Sequence, residues 1–191
     1  MLDTINSFSR EQEINKLKEK VRTIPNFPKE GIMFRDITTL LQDKESLHKL
    51  TELLYEKYKD TPVDIVAGIE SRGFIIAGLL AEKLNAGLVL IRKPGKLPYE
   101  TIKQEYSLEY GTDTVEMHKD SVKLGQKVLL VDDLIATGGT SLASCNLIKK
   151  LGGQIVECAF IIELEELGGI EKLKKENFPS FSIVKFKEDE L

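Results

Sequence analysis

Residues that bind metals or form disulfides are scarce in this chain: of its 191 residues, two are cysteine and two are histidine. Cys145 and Cys158 fall on a predicted helix and a predicted strand without metal-ligand spacing, so they read as buried thiols in a reducing cytoplasm. His48 and His118 have no carboxylate or cysteine partner nearby in sequence and read as surface or helix histidines. Long apolar runs are missing too. The longest, residues 74–81, is too short to span a bilayer, and residues 1–10 lack the apolar core of a signal peptide, which leaves a cytoplasmic location as the expectation. An excess of positive charge is also absent: the net charge of −4 gives no electrostatic case for nucleic acid or membrane binding. Internal repeats, low-complexity tracts and linkers are not found.

What is present is an ordinary soluble composition, 41% hydrophobic and 30% charged, in a length that suits one domain. The most informative stretch is residues 128–140 (VLLVDDLIATGGT). Residues 128–131 are apolar on consecutive positions, the mark of a parallel strand buried on both faces. Asp132 and Asp133 then stand at its carboxyl end, where open α/β sheets place their ligands. Ala136, Thr137, Gly138, Gly139 and Thr140 form a small, hydroxyl-bearing turn that opens a helix whose free N–H groups attract an anion. Two carboxylates can accept hydrogen bonds from vicinal sugar hydroxyls while the turn wraps a phosphate. A Walker-type loop is excluded because no Gly-Lys-Ser/Thr closes the turn, and Gly138-Gly139 lacks dinucleotide-fingerprint spacing.

Around this run the elements alternate. Ser9-x-x-Gln12 reads as a capping box for an opening helix to about Val21, an arm that packs on the body or on a partner subunit. Pro25 and Pro28 break the chain into a loop. Asp43 and Ser46 open a helix with Leu47, Leu50, Leu54 and Tyr58 on one face. Strands are predicted at 63–67, 88–91, 155–162 and 181–186, with helices up to Lys83, over 140–151 and within 165–175. Leu142 and Leu147 are core positions. Residues 92–120 read as an irregular loop followed by a β-ribbon at 112–117; a segment this long in a compact domain is usually functional. The order implies an α/β fold: an open parallel sheet with right-handed crossovers and flanking helices.

Residues 128–140 match, along their whole length, the phosphoribosyl-pyrophosphate (PRPP) signature of the type I phosphoribosyltransferases. Residues 24–38 (IPNFPKEGIMFRDIT), 67–73 (AGIESRG), 90–97 (LIRKPGKL) and 106–111 (YSLEYG) resemble, in order, the members of that family that use adenine. The likeness spans roughly Val21 to Lys187. It implies a single domain over residues 1–191, with a helical arm at 1–21, a base-recognition hood at 24–40 and a flexible loop and β-ribbon at 92–120. It implies adenine and PRPP as substrates, AMP and pyrophosphate as products, Mg²⁺ carried on PRPP with few direct protein ligands, and a homodimer.

The resemblance also assigns residues. Asp132 and Asp133 hold the ribose hydroxyls, and Ala136, Thr137, Gly138, Gly139 and Thr140 the 5′-phosphate. Glu70, Ser71, Arg72, Arg92, Lys93 and Tyr110 fall to the pyrophosphate. The resemblance implies a non-proline cis peptide near residues 70–73 and implies that Arg92 and Lys93 reach across a dimer interface, with Lys96 as a further source of positive charge. Phe34 and Leu134 would stack on the two faces of the purine while backbone atoms of Met33 and Arg35 read its amino edge, which rejects an oxo purine because two acceptors would then face each other. Arg72 and Glu109 carry catalysis: Glu109 handles a proton at the base's imidazole ring or stabilises the sugar cation, and Tyr106 and Tyr110 close the lid against water. Two other readings stay open: transfer to hypoxanthine, guanine or xanthine, and a PRPP-sensing regulator without catalysis. The Phe34-Arg35 segment speaks against the first; the acidic charge, the lack of a helix-turn-helix segment and the presence of Glu109 speak against the second.

Overall fold

The computed structural model describes residues 2–107 and 111–187. Helix α1 (Leu2–Glu19) leads into an antiparallel ribbon, β1 (Arg22–Pro25) and β2 (Met33–Asp36), then α2 (Thr38–Gln42) and α3 (Lys44–Tyr58). The strand β3 (Ile65–Ile69), the helix α4 (Gly73–Lys83) and the strand β4 (Gly87–Ile91) follow. An antiparallel hairpin, β5 (Thr101–Ser107) and β6 (Thr112–His118), precedes β7 (Lys127–Ile135) and α5 (Gly139–Lys150). The chain finishes with β8 (Gln154–Leu164), a 3₁₀ turn at Glu165–Leu167, α6 (Gly169–Lys175) and β9 (Ser180–Phe186).

Five strands pair in parallel in the order β4-β3-β7-β8-β9. From β3 the chain winds outward to β4, and from β7 it winds the other way to β8 and β9. The order therefore reverses between β3 and β7, and open α/β sheets bind ligands in the crevice at that reversal. Alternation along the central strands feeds two cores. Val66, Leu129 and Val131 pack with Leu50, Leu54, Ile76 and Leu80 on one face, joined by Leu17 of α1. Ala67, Val128 and Leu130 pack with Leu147, Ile148 and Leu173 on the other, joined by Val115 and Met117 of the hairpin. Each fully buried side chain of this kind stabilises by about 1.5–3 kcal/mol, which fixes the strand ends where the ligand groups emerge.

The expected central elements are present with boundaries shifted by one or two residues, and several peripheral ones differ. The first helix begins at Leu2, so Ser9 lies inside it rather than capping it; nothing in residues 2–8 breaks a helix. The arm packs on the body of its own chain through Leu17 and Ile14. Residues 22–36 form a ribbon where a loop was expected: the turn carries a cis Phe27–Pro28 bond, and Asn26, at positive φ, accepts from the Gly31 N–H at 2.9 Å. β5 is a strand where the sequence predicts irregular loop: its polar residues alternate with only partly buried ones, and among the described residues it pairs with β6 alone. His118 ends strand β6, its ring edge-on to Tyr99 and its Nε2 buried without a hydrogen-bond partner; it is neither a helix residue nor a plain surface one. Asp43 does cap α3, accepting from the Ser46 N–H at 2.9 Å. No helix among the described residues is long and apolar enough to cross a membrane.

Candidate active site

β7 does not stop at Val131. It runs through the acidic pair to Ile135, so Asp132 and Asp133 are strand residues and their side chains leave on opposite faces. Both reach the start of α4. Asp133 Oδ2 receives the Arg72 Nε–H at 2.6 Å. Asp132 turns the other way: its Oδ1 accepts from the Asp133 N–H at 2.8 Å and lies against Gly73, where a Cβ would come within 2.7 Å of it. Burial, reinforced by the charge of Asp133, pushes the Asp132 carboxyl well above the usual range. The two carboxylates are adjacent at the strand end, where their oxygens can accept from a diol.

Past β7 the chain turns through residues 136–138 into α5. Gly138 takes a left-handed conformation at φ +75 and closes on a second glycine, since a Cβ there would stand 2.8 Å from the Gly169 oxygen. A Cβ on Gly169 would in turn stand 2.3 Å from the Ala136 oxygen. The turn is thus clamped between the first residues of α5 and α6, with amide groups of the α5 start unsatisfied inside the helix. Gly169 escaped the sequence reading; its only signal is the Gly168-Gly169 pair opening a helix.

Glu70 and Ser71 follow β3 and are joined by a non-proline cis peptide, as expected. Glu70 gathers two cations and an amide: Lys96 Nζ at 2.6 Å, Arg92 Nε at 3.0 Å and the backbone N–H of Lys93 at 3.0 Å all meet its carboxylate. Burial alone would raise the Glu70 carboxyl, but these bonds outweigh it and lower it. Arg92 and Lys93 therefore find partners within their own chain. The Lys93 ammonium meets Asp113 and, at 2.9 Å, the Tyr106 hydroxyl. Glu109 and Tyr110 lie outside the described residues.

The base end is assembled differently. On β2, Phe34 faces the crevice: the Arg72 guanidinium is 5.6 Å from its ring centroid, and Phe27 meets it edge-on at 5.2 Å. Arg35 points the other way, is almost fully buried, donates to Thr23 and to the Lys187 carbonyl at 3.2 Å, and lies 4.4 Å from the Phe186 ring centroid. Met33 and Arg35 share with Leu164, Leu167 and Phe186 an apolar cavity of about 180 Å³. The residues of this cavity after β8 were not foreseen; they are distant in sequence and carry no motif. Leu134 sits in β7 beside Asp133, paired with Ile162.

An acidic strand end, a glycine-clamped turn and a group of cations meet at the sheet reversal, an arrangement chemically suited to a phosphorylated sugar. The phosphoribosyl transferase domain family matches residues 36–190. The adenine phosphoribosyltransferase of Geotalea daltonii is 53% identical over 91% of this chain and 100% of its own. The crystal structure of adenine phosphoribosyltransferase from Rhodothermus marinus superposes with a TM-score of 0.87 at 46% identity, covering 92% of this chain and 99% of that one. The enzyme from Saccharomyces cerevisiae, solved with an imino-altritol bisphosphate and adenine, superposes with a TM-score of 0.84 at 37% identity, over 91% and 99% of the two chains. The chain belongs to the adenine phosphoribosyltransferase family, and its fold is that of the type I phosphoribosyltransferases.

Proposed function

We propose that this protein transfers the phosphoribosyl group of PRPP to adenine, giving AMP and pyrophosphate, a step of purine salvage. The observation that carries this reading is one chain of contacts: Phe34 of the hood meets Arg72, and Arg72 holds Asp133. Base, diphosphate and ribose groups thus converge within one crevice.

The 5′-phosphate lies in the turn of residues 136–140, held by backbone N–H groups and the hydroxyls of Thr137 and Thr140. Asp132 and Asp133 take the ribose hydroxyls. The diol competes with Arg72 for the Asp133 oxygens, and the diphosphate draws Arg72 toward itself together with Lys96, Arg92 and Lys93. Glu70, itself anionic, is better suited to holding Lys96 and Arg92 in place than to touching the diphosphate. Mg²⁺ arrives as part of the PRPP substrate, and carboxylate oxygens at the strand end are the hard donors it favours. The purine stacks on Phe34 with Leu134 opposite, its amino edge toward the backbone of Met33 and Arg35. The anomeric carbon–oxygen bond to pyrophosphate breaks as the base nitrogen bonds to the same carbon, and Glu109 takes the proton that this nitrogen loses. Catalysis rests on aligning the two reactants and neutralising the leaving group.

A homodimer is supported by the exposed apolar Ile75 and Leu79 of α4 beside exposed Leu88 of the edge strand β4. Buried free thiols at Cys145 and Cys158 suit a cytoplasmic location. Steady-state assays with Mg²⁺–PRPP and adenine, hypoxanthine or guanine test the reading. AMP and pyrophosphate should form in equal amounts from adenine, with the oxo purines slower by at least about 100-fold in kcat/KM. Faster turnover of an oxo purine, or no turnover of any base, would overturn it.

A further inference from the structure

Tyr106 stands in β5, three residues before Glu109, and its side chain lies directly on the turn of residues 136–140. Its ring packs against Gly139, where a Cβ would come within 3.1 Å of the ring, so a glycine is what admits the tyrosine at the first residue of α5. Its hydroxyl has three polar neighbours: Thr140 Oγ1 at 2.9 Å, Asp113 Oδ2 at 3.1 Å and the Lys93 ammonium at 2.9 Å. The proton count on this cluster is restrictive. Lys93 can only donate, and ionised Asp113 can only accept. The hydroxyls of Tyr106 and Thr140 carry one proton each. Two arrangements therefore satisfy the group. In one, that of the structure itself, Thr140 donates to Tyr106 and Tyr106 donates to Asp113. In the other, Tyr106 donates to Thr140, which directs the Thr140 proton outward, to where a phosphate oxygen would sit. In that second arrangement Asp113 gives up the Tyr106 proton and keeps Lys93, which also donates to the Tyr106 oxygen.

We propose that Tyr106 is a positioning residue for the phosphate turn: its hydroxyl orients the Thr140 hydroxyl toward the sugar 5′-phosphate and ties that turn to the β5–β6 hairpin through Asp113 and Lys93. A donor behind Thr140 polarises the threonine hydroxyl and strengthens the bond it makes to an anion. The role rests on the placement of the 5′-phosphate at residues 136–140 given above. Because Tyr106 acts through Thr140, its removal weakens PRPP and AMP binding and leaves adenine binding alone.

The test is a double-mutant cycle on the full-length protein, with KM for PRPP and for adenine, kcat, and AMP dissociation constants as readouts. Tyr106→Phe keeps the ring on Gly139 and should raise KM for PRPP about three- to tenfold, with KM for adenine changed less than twofold. In a Thr140→Val background the same change should add less than about 1.5-fold; in a Thr140→Ser background, which restores the hydroxyl, the full effect should return. If Thr140→Val itself leaves PRPP and AMP affinity untouched, the phosphate assignment is wrong. Should Thr140→Val weaken both ligands while Tyr106→Phe does nothing, or multiplies with it, the phosphate assignment stands and the coupling through Tyr106 is refuted. A Tyr106→Phe protein whose melting temperature falls by more than a few degrees with KM for both substrates raised alike would mark Tyr106 as a packing residue and equally refute the proposal.

Discussion

Residues 128–140 deliver a strand, an acidic pair, a turn and a helix start in one uninterrupted run, whereas the cavity behind β2 draws on β2, the end of β8 with the turn after it, and the end of β9. The first region is locked by backbone: a parallel strand between two partners, and two glycines in mutual contact. The second is held by side chains. Arg35 fastens the hood to the Lys187 carbonyl and the Phe186 ring, and Arg22 pairs with Asp36 at 2.5 Å. The proposed sugar-phosphate site is thus built rigidly and locally, and the proposed base site rests on a ribbon pinned by a few polar contacts. Segments with few buried apolar contacts open more readily, and the β1–β2 ribbon, unlike Ile37 and Leu40 that follow it, places no residue in either core.

The largest effect that would break this contrast concerns the acidic pair. Asp133→Asn removes the anion that Arg72 and the ribose diol share, and KM for PRPP should rise about 30-fold while the melting temperature changes little. An unchanged KM for PRPP would show that the strand end does not hold the sugar.

That strand end was legible because everything needed to recognise it is contiguous: four apolar residues, two carboxylates, a glycine pair and a threonine. Its partners were legible to different degrees. Arg72 and Glu70 could be placed because they too follow a buried strand. The pairing of Arg92 and Lys96 with Glu70 could not, because it depends on how the chain folds back after β4. The hairpin strand β5 was missed since its Lys, Gln and Glu residues give no apolar alternation and it draws order from β6 and α5. Leu164 and Leu167 look like any leucines; only the fold brings them beside Met33 and Arg35.

A smaller effect sharpens the base side. Phe34→Ala should raise KM for adenine about tenfold, the worth of one stacked aromatic, and leave KM for PRPP within twofold. Equal changes in both constants would mean that Phe34 supports the crevice as a whole and does not meet the base.

The smallest effect tests how the hood is pinned. Burial pushes the Asp36 carboxyl up, but hydrogen bonds from Arg22 and Thr38 outweigh it and bring it down from 3.8 to about 2. A folded value below the unfolded one gives stability that is complete above about pH 4 and is lost as pH falls through about 2. Asp36→Asn should therefore cost about 1 kcal/mol at neutral pH, discounted for the half-exposed Arg22, and flatten the fall in stability between pH 4 and 2. Acid titrations of wild type and variant followed by circular dichroism would show the two curves converging at the low end; parallel curves would remove Asp36 from the account.

The central claim is that one crevice at the β3–β7 reversal takes the whole nucleotide. A crystal structure with AMP tests it most directly. The phosphate should lie within hydrogen-bond distance of the Gly138, Gly139 and Thr140 amides, the ribose hydroxyls on Asp132 or Asp133, and the purine against Phe34. A nucleotide bound elsewhere on the molecule, with that crevice holding only water, would contradict the account.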